Sequence, residues 1–276
     1  MPLTQRIAFI GAGNMASALI EGLLAAGTSA PERLTATDPR PEARDALRDK
    51  HGIAVTPDNL AVAREADVVV LAVKPQAFGQ VLSQLAGATG PDTLAVSIAA
   101  GVPISVIEGG LAAGTRVVRA MPNTPSLVGA GATAIAAGSH ASDPDMDVTA
   151  AIFESVGIVE RVDETLLDAV TGLSGSGPAY VFAMIEAMTA AGVKVGLPET
   201  TAAALAAQTV YGAGKLLRET GESPEALRRK VTSPGGTTQA GLERLGDRGF
   251  ADVIADAVGR ATERARELGR EAAKKG

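Results

Sequence analysis

The chain has 276 residues, enough for two domains with cores of ordinary size. Its net charge is −6 and it carries no long basic run, which argues against a nucleic acid or an anionic membrane as partner. Cysteine is absent, so disulfides, thiolate metal sites and cysteine nucleophiles are excluded. The two histidines, His51 and His140, read as solvated surface residues rather than metal ligands or catalysts. No secretory pattern precedes the first strand, and the apolar stretch at Tyr180–Val195 is broken by Glu186 and Lys194. A soluble, cytoplasmic protein without a metal site is the expectation.

The first apolar run, Arg6–Ile10, ends in Gly11-Ala12-Gly13-Asn14-Met15-Ala16, and a helical pattern follows through Leu19, Ile20, Leu23 and Leu24. Strand, glycine turn and helix in that order make G-x-G-x-x-A a dinucleotide fingerprint. Gly11 makes the tight turn, Gly13 lets a pyrophosphate approach, and Ala16 packs the helix against the strand. A second strand at Arg33–Thr37 leads to Asp38-Pro39-Arg40. Asp38 stands about twenty residues past the fingerprint, where an acid contacts the ribose of NAD; Arg40 suits the 2′-phosphate of NADP. The two signals conflict, and a helix cap is the plain alternative for Asp38.

Buried parallel strands are expected at Ala66–Val73, Leu94–Ile98 and Arg116–Ala120. They close in Lys74-Pro75-Gln76, Ala99-Ala100-Gly101 and Met121-Pro122-Asn123, and ligands lie at such carboxyl ends in open α/β sheets. Shorter strands at Gly131–Ala137 and Gly157–Val162 flank a helix at Asp143–Ser155. From residue 163 onward the periodicity is helical: Glu164–Leu173, Pro178–Val195, Pro198–Thr220, Ser223–Val231, Thr238–Leu245 and Phe250–Leu268. The reading is an α/β Rossmann-like domain over 1–162 followed by an all-α domain over 163–276. The Ala-rich helix at Thr200–Ala213 points to a subunit interface as much as to a monomer core. Between two of these helices lies V-T-S-P-G-G-T-T, 231–238. There a proline, two glycines and the hydroxyls of Ser233, Thr237 and Thr238 form a turn able to offer amides to an anion.

With both halves laid out, the chain resembles the pyrroline-5-carboxylate reductases over essentially its whole length. The blocks that carry the likeness are G-A-G-N-M-A (11–16), A-V-K-P-Q (72–76), S-I-A-A-G-V (97–102) and R-A-M-P-N-T-P (119–125). Two further blocks, D-A-V-T-G-L-S-G-S-G-P-A-Y (168–180) and V-T-S-P-G-G-T-T (231–238), complete it. The resemblance implies reduction of the C=N bond of 1-pyrroline-5-carboxylate by NAD(P)H to give L-proline, the last step of proline biosynthesis. NADP(H) is the expected cofactor, with NAD(H) the alternative. It also implies a homodimer joined through the helical domain, with larger rings in some members and active sites drawing on both subunits. By motif match the substrate carboxylate falls on the amides of Ser233, Gly235, Gly236 and Thr237, assisted by the Ser233 hydroxyl. Thr238 falls against the ring nitrogen, and by the same match Thr238 and Glu164 are the catalytic residues, with Ser176 close by on the substrate. The cofactor residues implied are Gly11, Gly13, Asn14, Met15, Asp38, Arg40, Asn59, Ala72, Val73, Lys74, Pro75, Ala99, Ala100 and Asn123.

A protonated cyclic imine is already electrophilic, so hydride transfer asks mainly for proximity and orientation. That fits a chain with no well-placed His, Cys or Tyr; Tyr180 and Tyr211 read as helix residues in or near the core. Lys74 competes with Thr238 as the acid. A β-hydroxyacid dehydrogenase using Lys194 is a second enzyme reading, and a nucleotide-sensing Rossmann protein is a non-enzymatic one.

Overall fold

The computed structural model describes residues 2–273. Contacts divide the chain into two compact units: Met1–Ser176 together with Gly259–Gly276, and Gly177–Val258. The composition shift near residue 162 and the division of contacts therefore do not coincide.

The first unit is built on one eight-stranded sheet in the order β3-β2-β1-β4-β5-β6-β7-β8. The strands are β1 (Ile7–Ile10), β2 (Leu34–Thr37), β3 (Ala54–Thr56), β4 (Val68–Leu71), β5 (Leu94–Ser97), β6 (Arg116–Met121), β7 (Gly131–Ala137) and β8 (Gly157–Arg161). The first six are parallel in the doubly wound Rossmann order; β7 runs antiparallel to β6, and β8 is parallel to β7. Between them run α1 (Asn14–Ala25), α2 (Pro41–His51), α3 (Asn59–Glu65), α4 (Pro75–Leu85), α5 (Ile104–Gly110) and α6 (Asp143–Glu154).

Side chains alternate across each strand, so the sheet feeds two cores. On one face Ile7, Phe9, Val68, Val70 and Val96 meet Leu19, Ile20, Leu23 and Phe153 from α1 and α6. On the other, Ala8, Ile10, Val69 and Leu71 meet Phe78, Leu82 and Leu85 of α4 and Ile107 of α5. At about 1.5–3 kcal/mol for each fully buried large apolar side chain, these two layers hold the strand ends in register.

Several expectations change in detail. The strand expected at Ala66–Val73 is only Val68–Leu71, because Lys74 already caps α4. β3, three residues long, carried no readable alternation. The helix expected at Glu164–Leu173 is a 3₁₀ turn (Glu164–Leu166), then α7 (Leu167–Val170), then a π turn (Thr171–Gly175) closed by Ser176 N–H donating to the Thr171 carbonyl at 2.8 Å. His51 is not a plain surface residue. It ends α2 half-buried, its Nε2 has no partner, and burial pushes its pKa down.

The second unit comprises α8 (Gly177–Lys194), α9 (Glu199–Thr220), α10 (Pro224–Lys230), α11 (Thr237–Asp247) and the first turns of α12 (Phe250–Ala273). Among its described residues only Ala202 and Ala206 are buried. Phe182, Leu205 and Tyr211 are 62%, 55% and 62% exposed, so Tyr211 is not a core residue as its helical setting had suggested. The later turns of α12 belong to the first unit, where Thr262 and Ala265 are buried and Leu268 lies against Gly101.

Gly157 offers a direct test of sheet packing. A Cβ there would stand 2.0 Å from the carbonyl oxygen of Gly131, which is backbone and cannot give way. Gly157→Ala is expected to lower unfolding free energy by about 1–3 kcal/mol or more in urea titration; an unchanged midpoint would contradict the β7–β8 packing.

Candidate active site

The carboxyl ends of β1, β2, β4 and β5 open into two adjoining cavities of about 680 and 620 Å³, both bounded by Val73. One is lined by Gly11, Asp38, Asn59 and Val73, the other by Gly13, Asn14, Met15, Arg40, Ala72, Lys74, Ala99 and Ala100. Of the fourteen expected cofactor residues, these two cavities gather twelve. Pro75 opens α4 next to them.

The glycine turn explains their shape. Gly11 has φ +104°, and a Cβ there would stand 2.6 Å from the Ala72 carbonyl oxygen. The turn is therefore pressed against the end of β4. Gly13 has nothing within 4 Å of its missing Cβ, so its backbone faces open space. It also caps α1, whose first amides have no partners inside the helix and carry the positive end of its dipole. An uncharged backbone seat at a helix start, with no acidic residue in the first turn, fits a pyrophosphate.

Asp38 is buried and committed. Its Oδ2 accepts from the Ala12 amide (3.1 Å) and Arg40 Nη2 (3.1 Å), while Oδ1 accepts from the Arg40 amide (3.0 Å) and Nε (2.9 Å). It does not cap α2, whose capping position is Arg40. Arg44 donates to the Asp38 carbonyl at 2.5 Å. Burial opposes the charged carboxylate, but the bonds from Arg40 and Ala12 outweigh it, holding Asp38 below its ordinary pKa. Asn59 is pinned from two sides. Its Oδ1 accepts from Thr37 Oγ1 at 2.5 Å, and its Nδ2 donates to Gln84 at 3.0 Å.

Two expected residues stand outside these cavities with their side chains engaged. Asn123 is buried, donating to the Ser174 carbonyl (3.1 Å) and accepting from the Ala132 amide (2.9 Å), so it ties β7 to the π turn. Glu164 Oε1 accepts from the Ile104 amide (2.7 Å) and from buried Arg119 (3.1 Å), fastening the start of α5. Ser176 follows the π turn, whose Gly175 lies against Met121. Arg119 was not singled out in sequence; an arginine within a buried strand was its available signal.

In the second unit, residues 231–238 form the expected turn before α11. Gly236 N–H donates to the Ser233 carbonyl at 3.0 Å across Pro234 and Gly235, whose φ of +70° suits a type II turn. Gly235 N–H donates to Gln239 Oε1 at 2.8 Å. Thr189, Thr209 and Thr220 return their hydroxyls to the carbonyl four residues back. The exposed Thr238 hydroxyl has no partner among the described residues. Lys194 closes α8, exposed. No cluster of three or more His, Cys, Asp or Glu able to hold a metal occurs among the described residues, and no described helix is long and apolar enough to cross a membrane.

The family model for pyrroline-5-carboxylate reductase dimerisation matches residues 164–268, and the one for NADP oxidoreductase, coenzyme F420-dependent, matches 6–101. A pyrroline-5-carboxylate reductase of Methanosarcina acetivorans is 47% identical, over 92% of this chain and 94% of its own. The chain belongs to the pyrroline-5-carboxylate reductase family. Its members reduce pyrroline-5-carboxylate to proline in proline biosynthesis. The solved reductase of Coxiella burnetii superposes with a TM-score of 0.93 at 40% identity, covering 96% of this chain and 99% of its own. That of Plasmodium falciparum, solved with NADP bound, gives 0.84 at 31% identity, covering 98% and 100%.

The Asp38 clasp can be tested by pH. Its pKa is lowered on folding, so its stabilisation is present above the unfolded carboxylate value, about 3.9, and is lost as pH falls through the lower folded value. Asp38→Asn is expected to be about 1–3 kcal/mol less stable than the parent at pH 7. The gap should close below roughly pH 4; a gap that persists in acid would contradict the clasp.

Proposed function

We propose that this pyrroline-5-carboxylate reductase binds NADPH in the glycine-turn crevice and holds 1-pyrroline-5-carboxylate on the 233–238 turn, releasing L-proline. The observation that carries the reading is the crevice itself: a backbone seat at a helix start, backed by a carboxylate–arginine pair. When bound, the reduced nicotinamide supplies the hydride. The residues proposed to hold it are those lining the two cavities, with Gly13, Asn14 and Met15 under the pyrophosphate and Ala99 and Ala100 beyond them.

The chain's own work is orientation. The amides of Gly235 and Thr237, at the start of α11, and the Ser233 hydroxyl receive the substrate carboxylate at the positive end of the helix dipole. The Thr238 hydroxyl, with no partner among the described residues, meets the ring nitrogen and relays its proton through water. Glu164 acts at a distance, through the Ile104 amide and Arg119, and the loop at Ala99–Pro103 is kept in place as a result. Lys74, exposed at the mouth of the crevice, suits phosphate better than proton transfer.

Cofactor preference follows from the Asp38–Arg40 pair. With four donors on its two oxygens, Asp38 has little acceptor capacity left for a ribose diol. The Arg40 guanidinium, with Arg44 behind it, presents positive charge beside the start of α2, which suits a 2′-phosphate. The reading is NADPH first, NADH second.

The residues 163–276 are proposed to dimerise, because helices with so few buried residues and so many exposed apolar ones need a second surface to cover them. A homodimer, with larger rings built from it, in the cytoplasm and without nucleic-acid or membrane partners, completes the reading.

Two measurements test it. Thr238→Ala should lower kcat/KM for pyrroline-5-carboxylate by about tenfold or more, the scale of one charge-assisted hydrogen bond. An unchanged rate removes Thr238 from the mechanism. Arg40→Ala should weaken NADPH binding about tenfold to a hundredfold by nicotinamide fluorescence and leave NADH binding equal or tighter. Equal losses for both would overturn the assigned preference.

A further inference from the structure

In the turn before α11, one glycine amide is held by a side chain from the following helix. Gly235 is left-handed, and its amide donates at 2.8 Å to the side-chain oxygen of Gln239. The Gln239 amino group in turn donates at 2.8 Å to Glu243 Oε1, one helical turn further on. Glu243 accepts only, so it fixes which way the Gln239 amide faces, with its oxygen toward Gly235. The neighbouring Gly236 amide is spent on the turn itself, through the Ser233 carbonyl at 3.0 Å. Of the two glycine amides, one is therefore structural and the other is held by a side chain that a single rotamer change would remove.

A glutamine at the third position of a helix commonly reaches back to the capping residue. Here the capping residue is Gly236, and Gln239 reaches one residue beyond it. An amide oxygen is the neutral counterpart of a carboxylate oxygen, and an amide N–H bond to a carboxylate is roughly twice as strong. The exchange of one for the other on Gly235 therefore favours the acid.

We propose that Gln239 is a positioning residue that keeps the carboxylate seat filled between turnovers. Resting on the substrate-turn reading above, its Oε1 occupies the place of one substrate carboxylate oxygen, and the ring acid enters by displacing it. A cyclic imine with no carboxylate lacks the charge to displace it, so Gln239 adds selectivity for imino acids over bare imines.

The test uses the full chain with saturating NADPH. Gln239→Leu should lower both KM for pyrroline-5-carboxylate and the calorimetric Kd of L-proline by about threefold to tenfold, one net hydrogen bond no longer having to be displaced. Its kcat and its Kd for NADPH should stay unchanged. Gln239→Glu, which places a charged occupant on the same amide, should raise both constants about tenfold or more. If Gln239→Leu does not fold, Glu243→Ala serves instead. It loosens the Gln239 amide without touching the turn, and it should move KM and the proline Kd in the same downward direction. A leucine variant that loses thermal stability while keeping KM and the proline Kd would make Gln239 a helix cap and overturn the proposal, as would a rise in KM. Ser233→Ala separates the two readings. If it weakens proline binding while Gln239→Leu has no effect, only the seat fails; if it leaves proline binding intact, the substrate turn itself is wrong.

Discussion

A missing side chain at residue 11 is what the cofactor half of this protein depends on. β1 and β4 are neighbours in strict register, and the chain leaves both at the same level of the sheet. At Gly11 it must turn with a positive φ directly beneath the Ala72 carbonyl, and no L-residue with a Cβ fits there. Because the turn is that tight, α1 begins at Asn14 with its first amides directed at the cavity that also meets Lys74 and Ala99. The width of the crevice is thus set by backbone against backbone, with two buried layers holding the strands in place behind it.

Much of this is legible in the amino-acid sequence alone. Near-continuous apolar runs marked β4, β5 and β6 as buried parallel strands, and the fingerprint located the first turn, because both signals are local and repeat a known period. What escaped was decided by partners distant in sequence. Asp38 looked open to either a ribose or a helix cap, yet its carboxylate is taken up by Ala12 and Arg40. Asn123 reads as a cofactor contact and Glu164 as a catalytic residue, and the structure adds that their side chains also tie β7 and the start of α5 in place. The π turn at Thr171–Gly175 has no periodic signature of its own, since five residues are too few to set a period.

The second unit follows a different rule. Its helices are well formed, with Ser223 capping α10 and i,i+4 ion pairs such as Arg229–Glu225 along the surface, but each contributes little to a shared interior. Helix formation there depends on local chemistry, and apolar side chains such as Phe182 and Leu205 stay exposed. Tyr211 illustrates the difficulty of reading such helices: a helical period says which face is apolar, not what covers it.

The return of α12 to the first unit has a consequence for how this chain is made and handled. The sheet-bearing unit is discontinuous in sequence, its last portion coming only after Gly177–Val258 has been synthesised. During synthesis Gly101 waits for Leu268, a partner made 167 residues later. Cutting once between the units yields an incomplete nucleotide-binding half. Isolating that half intact calls for a linker that joins residue 176 directly to residue 259, or for supplying the final helix as a separate peptide.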